Sequence, residues 1–176
     1  MEKRKTRILC VDDHAIVARG LKASIDLEPD LEWAGHESAA DDLVGAVDRA
    51  KADIVLLDVD MPGADSFKEL ESLSELRPSI RALMLSAFIR DTYIDAALAA
   101  GAWGYVSKSE EFEVILDAVR RIALGAFVFP DDVLQRCEVV DGRLRPKQSS
   151  ATSSAALTPR EVQVLRMIAQ GMSTKD

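Results

Sequence analysis

The sequence predicts an α/β protein built on a five-stranded, parallel, doubly wound sheet. Four short apolar runs are typical of strands that are buried on both faces, and a fifth run is weaker. Segments with helical spacing separate these runs, and this alternation indicates a parallel sheet with helices on both sides. The four runs lie at 8–11, 54–57, 82–85 and 103–106, and the weaker run lies at 31–35.

A helical segment follows each run in turn. The five segments lie at 14–28, 40–51, 66–76, 91–100 and 110–124. The last is the most clearly amphipathic, because its apolar residues repeat at a spacing that places them on one face. That face carries Phe112, Ile115, Leu116, Val119 and Ile122.

Composition and charge indicate two modules. The chain has 176 residues, is 48% hydrophobic and carries a net charge of −8, which fits a globular protein and excludes wholesale disorder. Seven basic and four acidic residues after position 135 leave +3 there and −11 on residues 1–135. The acidic charge of residues 1–135 argues against nucleic-acid binding by this part of the chain, because neutralisation of phosphate groups needs Lys and Arg.

The two cysteines and the N-terminal residues indicate a cytoplasmic protein. Cys10 lies inside an apolar run, Cys137 is the other cysteine, and so few cysteines argue against a disulfide framework. The N-terminal residues lack the apolar region of a signal peptide. No run approaches the roughly 18–20 apolar residues of a membrane span.

The chain changes character after the fifth helical segment. Residues 125–134 have the pattern of a turn and a short helix, whereas residues 137–156 lack periodicity and end in linker composition. We therefore expect a first domain at 1–124, followed by a short helix and linker at 125–156.

A further helix begins within 157–176. Thr158 suits the N-cap, Pro159 suits the first helical position, and Glu161 completes a capping box. A second box of the same form starts at Ser173, directly before the chain stops. We expect 157–176 to be the incomplete start of a second domain.

Chemically suitable side chains follow the predicted strands. Asp12 and Asp13 follow the first strand, Asp58 follows the third, Ser86 the fourth and Lys108 the fifth. Ligands of parallel α/β sheets bind at the carboxyl ends of the strands. In the common strand order 2-1-3-4-5, these side chains converge on one pocket.

The pocket has the chemistry of phosphoryl transfer. Crowded carboxylates repel each other unless a cation is present, and oxygen ligands at an open site suit Mg²⁺. A carboxylate beside a metal ion and an ammonium group is placed to attack phosphorus, since both cations offset charge on the phosphoryl oxygens. The product is an aspartyl phosphate.

Residues 8–123 resemble a bacterial response-regulator receiver domain, which has a flavodoxin-like fold. Four motifs together carry the resemblance. They are Val11-Asp12-Asp13-His14, Leu57-Asp58-x-x-Met61-Pro62-Gly63, Leu85-Ser86-Ala87 and Gly101-Ala102-x-Gly104-Tyr105-Val106-Ser107-Lys108.

The resemblance implies a role for each residue of the pocket. The residue at Asp58 accepts a phosphoryl group from a histidine kinase, and the acids at Asp12 and Asp13 help to hold Mg²⁺. The hydroxyl of Ser86 hydrogen-bonds the phosphoryl group, and Lys108 pairs with it. Enzymatic activity beyond self-catalysed phosphorylation and dephosphorylation is not expected.

The resemblance also implies a conformational switch. Ser86 moves to the phosphoryl group, Tyr105 turns inward, and the surface of helix 4, strand 5 and helix 5 repacks, as in a bistable element biased by local charge. The same surface is the expected interface of a homodimer.

Three further positions are expected to tune the reaction: Asp60, Ala87 and Phe88. By the resemblance, Asp60 offers its backbone carbonyl to the metal ion, while its carboxylate adds negative potential. We hypothesise that the ring of Phe88 shields the acyl phosphate from water, and the alternative is a half-exposed loop aromatic. His14 and His36 are interpreted as residues without a chemical role.

The C-terminal stretch resembles the start of a LuxR-type helix-turn-helix domain. The matching residues run from Leu157-Thr158-Pro159-Arg160-Glu161-Val162 to Ala169-x-Gly171-x-Ser173-x-Lys175. This implies a DNA-binding transcription regulator related to the nitrate and nitrogen-fixation regulators. Because the recognition helix would lie beyond Asp176, we expect DNA binding only in a full-length form.

Three alternatives stay open. The Asp-x-Asp spacing of Asp58 and Asp60 also fits a haloacid-dehalogenase-like phosphatase, although that family carries its motif on the first core strand. A receiver that acts only through protein partners is the second alternative. The third is a degenerate receiver that never takes phosphate.

Overall fold

The computed structural model describes residues 4–147. The strands and helices alternate from β1 to the end of α5, as the sequence predicts. The elements are β1 (Thr6–Val11), α1 (Ala15–Asp26), β2 (Leu31–Glu37), α2 (Leu43–Ala50), β3 (Ile54–Asp58), α3 (Ser66–Leu76), β4 (Arg81–Ser86), α4 (Asp91–Ala100), β5 (Gly104–Ser107), α5 (Phe112–Ala123), α6 (Asp131–Gln135), β6 (Cys137–Val140) and β7 (Arg143–Pro146).

The main sheet confirms the predicted fold class. Within residues 4–147 it has five parallel strands in the order β2-β1-β3-β4-β5. The central strands are buried on both faces, and every residue of Ile54–Asp58 is buried. Burial on both faces explains why these strands are continuous apolar runs rather than alternating ones.

The two faces of the sheet form separate hydrophobic clusters. Ile8 and Cys10 of β1 point to the side of α1 and α5, and both are fully buried there. Leu9 and Val11 point to the opposite side, where they pack with apolar residues of α2, α3 and α4. The alternation along one strand therefore fills both layers, as side chains at successive strand positions must.

Local signals fix several helix ends. The Asp42 carboxylate accepts a hydrogen bond from the N–H of Gly45 at 3.1 Å and caps α2. Asp65 caps α3 in the same way through Phe67. Gly101 ends α4 in the left-handed region, at φ 88°, where a residue without a Cβ is favoured.

The fifth strand begins one residue later than predicted. Trp103 lies before β5 and stacks on Phe127, with ring centroids 4.5 Å apart. Gly104 starts the strand, and a glycine suits this position because a Cβ here would stand 2.9 Å from the carbonyl oxygen of Val128. The close approach lets Val128 pair with β5, since its N–H donates to Trp103 and its carbonyl accepts from Tyr105, both at 2.9 Å.

The interpretation of 137–156 as a stretch without regular structure is wrong for its first part. Cys137–Val140 and Arg143–Pro146 form an antiparallel hairpin, β6 and β7. Asp141 and Gly142 make its turn with φ values of 51° and 75°, which an Asp-Gly pair favours. Residues up to Pro146 form one compact unit with the sheet, so the hairpin lies within the stretch predicted as a short helix and linker at 125–156. The rest of the expected linker and the start of a second domain at 157–176 lie outside the described residues.

No helix within residues 4–147 is long and apolar enough to span a membrane.

Candidate functional site

Four of the predicted site residues lie at the carboxyl edge of the sheet. Asp12 follows β1, Asp58 ends β3, Ser86 ends β4 and Lys108 follows β5. The Nζ atom of Lys108 lies 2.7 Å from Oδ2 of Asp12 and 2.7 Å from Oδ2 of Asp58. The sheet order explains this convergence, because β1, β3 and β4 are neighbours and end at the same edge.

Burial sets the electrostatics of the central carboxylate. Asp58 is 1% exposed, and this burial raises its pKa above the ordinary value although Lys108 lies beside it. Burial also works against the charge on Lys108, but the carboxylates of Asp12 and Asp58 outweigh it and raise the pKa of the amine. The pocket thus holds a charged lysine between two buried acids.

Asp13 and His14 close the pocket toward solvent. The Nδ1 atom of His14 lies 2.8 Å from Oδ1 of Asp13 and 3.2 Å from Oδ1 of Asp12. His14 is predicted from the sequence to have no chemical role, and in the structure its ring lies against the acid pair. Its position directly after Asp12 and Asp13, at the start of a helix, is the signal that could have indicated this.

The donor set fits a magnesium ion. One donor atom from each of Asp12, Asp13, His14 and Asp58 lies within 4.8 Å of the other three. Three of these donors are carboxylate oxygens, which Mg²⁺ prefers. The N–H of Asp60 donates to Oδ1 of Asp58 at 3.2 Å, so the turn after β3 wraps around the carboxylate.

The two predicted switch residues share one acceptor. The hydroxyl of Ser86 donates to the carbonyl oxygen of Phe88 at 2.8 Å, and the phenol of Tyr105 donates to the same oxygen at 3.1 Å. Both side chains are buried, and burial raises the pKa of Tyr105. The loop between β4 and α4 is therefore tied to both hydroxyl groups.

The three tuning positions lie on the rim of the pocket. The ring of Phe88 is 61% exposed and lies 5.5 Å from the guanidinium of Arg90. Ala87 is exposed beside it, and the carboxylate of Asp60 accepts a hydrogen bond from Tyr93 at 3.3 Å. Shielding of an acyl phosphate by Phe88 stays a prediction.

The parallel sheet and the residues at its carboxyl edge are the arrangement of two-component signalling proteins. The chain belongs to the response regulator family, because the profile of the response regulator receiver domain matches residues 8–120. A second profile, of the luxR family of bacterial regulatory proteins, matches residues 155–176. The predicted family resemblance is confirmed on both counts.

Curated relatives are similar over nearly the whole chain. The response regulator protein VraR of Staphylococcus aureus is 32% identical over 170 residues, which are 97% of this chain and 78% of VraR. The uncharacterised transcriptional regulatory protein YxjL of Bacillus subtilis is 27% identical over 178 residues, covering 100% of this chain and 81% of YxjL.

Solved structures share the fold. A LuxR-family two-component response regulator from Aurantimonas has a TM-score of 0.68 and 26% identity, over 74% of this chain and 94% of that one. The receiver domain of the putative response regulator NarL from Mycobacterium tuberculosis has a TM-score of 0.66 and 25% identity, over 70% and 99% of the two chains. The chain is thus a response regulator of a two-component phosphorelay.

Proposed function

We propose that Asp58 accepts a phosphoryl group from a histidine kinase in a reaction that requires Mg²⁺. The observation that carries this proposal is the position of Asp58, which is buried at the end of β3 with Lys108 at 2.7 Å. Asp12 and Asp13 would hold the ion together with Asp58 and the carbonyl of Asp60, and Mg²⁺ would offset charge on the phosphoryl oxygens.

The transfer balances as a displacement at phosphorus. An oxygen of Asp58 forms the new P–O bond while the P–N bond to the kinase histidine breaks, and the imidazole leaves with the electron pair. The ammonium of Lys108 stabilises the charge on the transferring group, because it lies at the same carboxylate before the reaction. The product is an aspartyl phosphate on Asp58.

Phosphorylation would act through the hydroxyl groups of Ser86 and Tyr105. Ser86 would leave the carbonyl oxygen of Phe88 to hydrogen-bond the phosphoryl group. The predicted inward turn of Tyr105 needs no further movement of its ring, because the ring is already buried and its hydroxyl donates to the same loop carbonyl. The result is a signalling switch whose catalysis is limited to its own phosphorylation and dephosphorylation. Nothing in the comparisons favours the phosphatase alternative.

The luxR-family match supports transcription control as the output. In a full-length form, a LuxR-type domain would bind DNA, and the receiver would control it from a cytoplasmic location. A homodimer through α4, β5 and α5 stays a prediction. Val128 covers the edge of β5, so a second copy would meet the segment around Val128 at this place.

Incubation with Mg²⁺ and acetyl phosphate, followed by intact mass, tests the acceptor. The wild type gains one phosphate, Asp58→Asn gains none, and the control Asp26→Asn, an exposed acid on α1, gains one. A folded wild type that takes no phosphate, or an Asp58→Asn variant that still takes it, contradicts the proposal.

A further inference from the structure

We propose that His14 is a metal ligand of the pocket, and that the pocket therefore binds Zn²⁺ and similar transition ions through an imidazole nitrogen. The inference rests on the proposed ion site, to which it adds a nitrogen donor. Its consequence is a site with two metal preferences: oxygen donors suffice for Mg²⁺, whereas imidazole is a ligand for Zn²⁺, Ni²⁺ and Cu²⁺.

The distances around Nδ1 of His14 suit a shared ion. This atom lies 2.8 Å from Oδ1 of Asp13 and 3.7 Å from Oδ2 of Asp58. Nitrogen and oxygen ligands bind Zn²⁺ at about 2.0–2.2 Å, so two ligands of a tetrahedral ion lie roughly 3.4 Å apart. The two distances bracket this separation, and small rotations of the side chains would bring all three donors to one ion.

The backbone holds the imidazole at the acid pair. His14 is the N-cap of α1 in an extended conformation, and its N–H donates to Oδ1 of Asp12 at 2.8 Å. Nδ1 is the ring nitrogen nearer to the backbone, so this anchoring also restricts its position. A neutral imidazole that binds the ion through Nδ1 keeps its proton on Nε2.

The negative charge of the carboxylates in the pocket favours binding of a divalent cation. Asp12 and Asp58 are 0% and 1% exposed, and both contact Lys108 inside the pocket. Together with Asp13 they outnumber the charge of the lysine, and a divalent cation offsets the remainder.

The second histidine provides a matched control. His36 also lies near the pocket, but its Nε2 atom is 2.7 Å from the backbone carbonyl oxygen of Asp12. It therefore supports the turn after β1 from the backbone side and is not among the donors that surround the pocket. His14→Asn keeps a residue that can cap α1, while His36→Gln keeps a hydrogen-bond donor.

Metal affinities of the whole chain test the inference. Zn²⁺ is titrated against a chromophoric chelator and Mg²⁺ by calorimetry, in wild type, His14→Asn and His36→Gln. We expect His14→Asn to weaken Zn²⁺ binding by about tenfold or more and Mg²⁺ binding by less than about twofold. Mutation of an outer-shell partner already weakens metal binding by about 10–100-fold, so loss of a direct ligand should cost at least as much. The loss is confined to Zn²⁺, because only this ion uses the imidazole. His36→Gln keeps the wild-type ratio of the two affinities.

Co²⁺ in place of Zn²⁺ gives a direct readout of the ligand. The wild-type complex shows an exchangeable, hyperfine-shifted imidazole N–H proton in its NMR spectrum, and His14→Asn loses it. Zn²⁺ affinity within twofold of wild type, an equal loss for both ions, or a missing imidazole proton overturns the inference.

Phosphorylation separates the two proposals. A His14→Asn protein that still takes phosphate at Asp58 with Mg²⁺, but has unchanged Zn²⁺ affinity, overturns the ligand role alone. A folded wild type that binds neither ion and takes no phosphate overturns both proposals.

Discussion

The two faces of the sheet differ in how they are closed. On one face, α1 and α5 cover the strands, with Val128 packed against them, and the two helices approach so closely that a Cβ at Gly20 would stand 2.4 Å from the ring of Phe112. On the other face, the cluster around α2, α3 and α4 continues into the extension after α5, through Phe129, Cys137 and Leu144.

We call the face covered by α1 and α5 the scaffold face, and the face that continues into the extension the responsive face. Tyr105 belongs to the second cluster, and its N–H donates to the carbonyl of Val128 in the extension. A movement of the Tyr105 backbone would therefore act directly on the extension through this hydrogen bond, whereas α1 and α5 lie on the opposite face of the sheet from the Tyr105 ring. We expect substitutions in the buried core between α1, α5 and the sheet to lower stability, and substitutions in the extension to change local order.

The largest effect is expected on the scaffold face, from Leu21→Ala. Leu21 is fully buried on α1, and truncation of such a leucine lowers the free energy of unfolding by about 2–5 kcal/mol, because it removes buried apolar area and leaves a cavity. Urea unfolding measures the loss. Leu27→Ala, which removes an 84% exposed side chain just after the same helix, is the control and leaves stability nearly unchanged. Equal losses in the two variants would contradict the packing of this face.

A smaller, local effect is expected from Leu144→Ala in β7. Leu144 is 6% exposed, but a two-stranded hairpin can open without unfolding the main sheet. We expect a loss below about 2 kcal/mol, under the usual range for core leucines, and faster amide exchange confined to residues 137–146. Val139→Ala is the control, because Val139 pairs with Leu144 in the hairpin but is 60% exposed. Faster exchange throughout β1 and β3 would show that the extension belongs to the global folding unit.

The smallest effect is expected at the surface pair of Asp48 and Arg77, which joins α2 to the end of α3. Arg77 donates to both carboxylate oxygens, at 2.9 and 2.7 Å, and these hydrogen bonds hold the pKa of Asp48 below its ordinary value. A lowered pKa in the folded state stabilises the protein above the unfolded-state pKa, and the contribution is lost as the pH falls through the folded-state pKa. In Arg77→Met, a carbon-detected NMR titration should find the Asp48 midpoint raised, with little change in stability at neutral pH. An unmoved midpoint would exclude this ion pair in solution.

Much of the fold and of the site could be predicted from the sequence. The strands are buried on both faces, so they appear as apolar runs, and the residue that ends each run falls at the edge of the sheet. The positions of Asp12, Asp58 and Lys108 in one pocket follow from those ends and from the strand order.

Other features depend on contacts between distant segments. The hairpin is short, and its Asp141–Gly142 turn is its one local signal within a stretch that has no periodicity. The late start of β5 depends on Val128, which no pattern near Gly104 reveals. His14 acquires its neighbours only when the turn after β1 folds back on Asp12 and Asp13, so its residue type alone suggested an ordinary first-turn side chain.

The shared acceptor of Ser86 and Tyr105 has an evolutionary consequence. Because the acceptor is the backbone carbonyl of residue 88, many side chains at this position would preserve the two hydrogen bonds. The exposed ring of Phe88 therefore takes no part in the hydrogen bonds that link the two hydroxyl groups. Selection can therefore change this side chain to suit a new partner or a different phosphate lifetime, while the hydrogen bonds of Ser86 and Tyr105 to the backbone are retained.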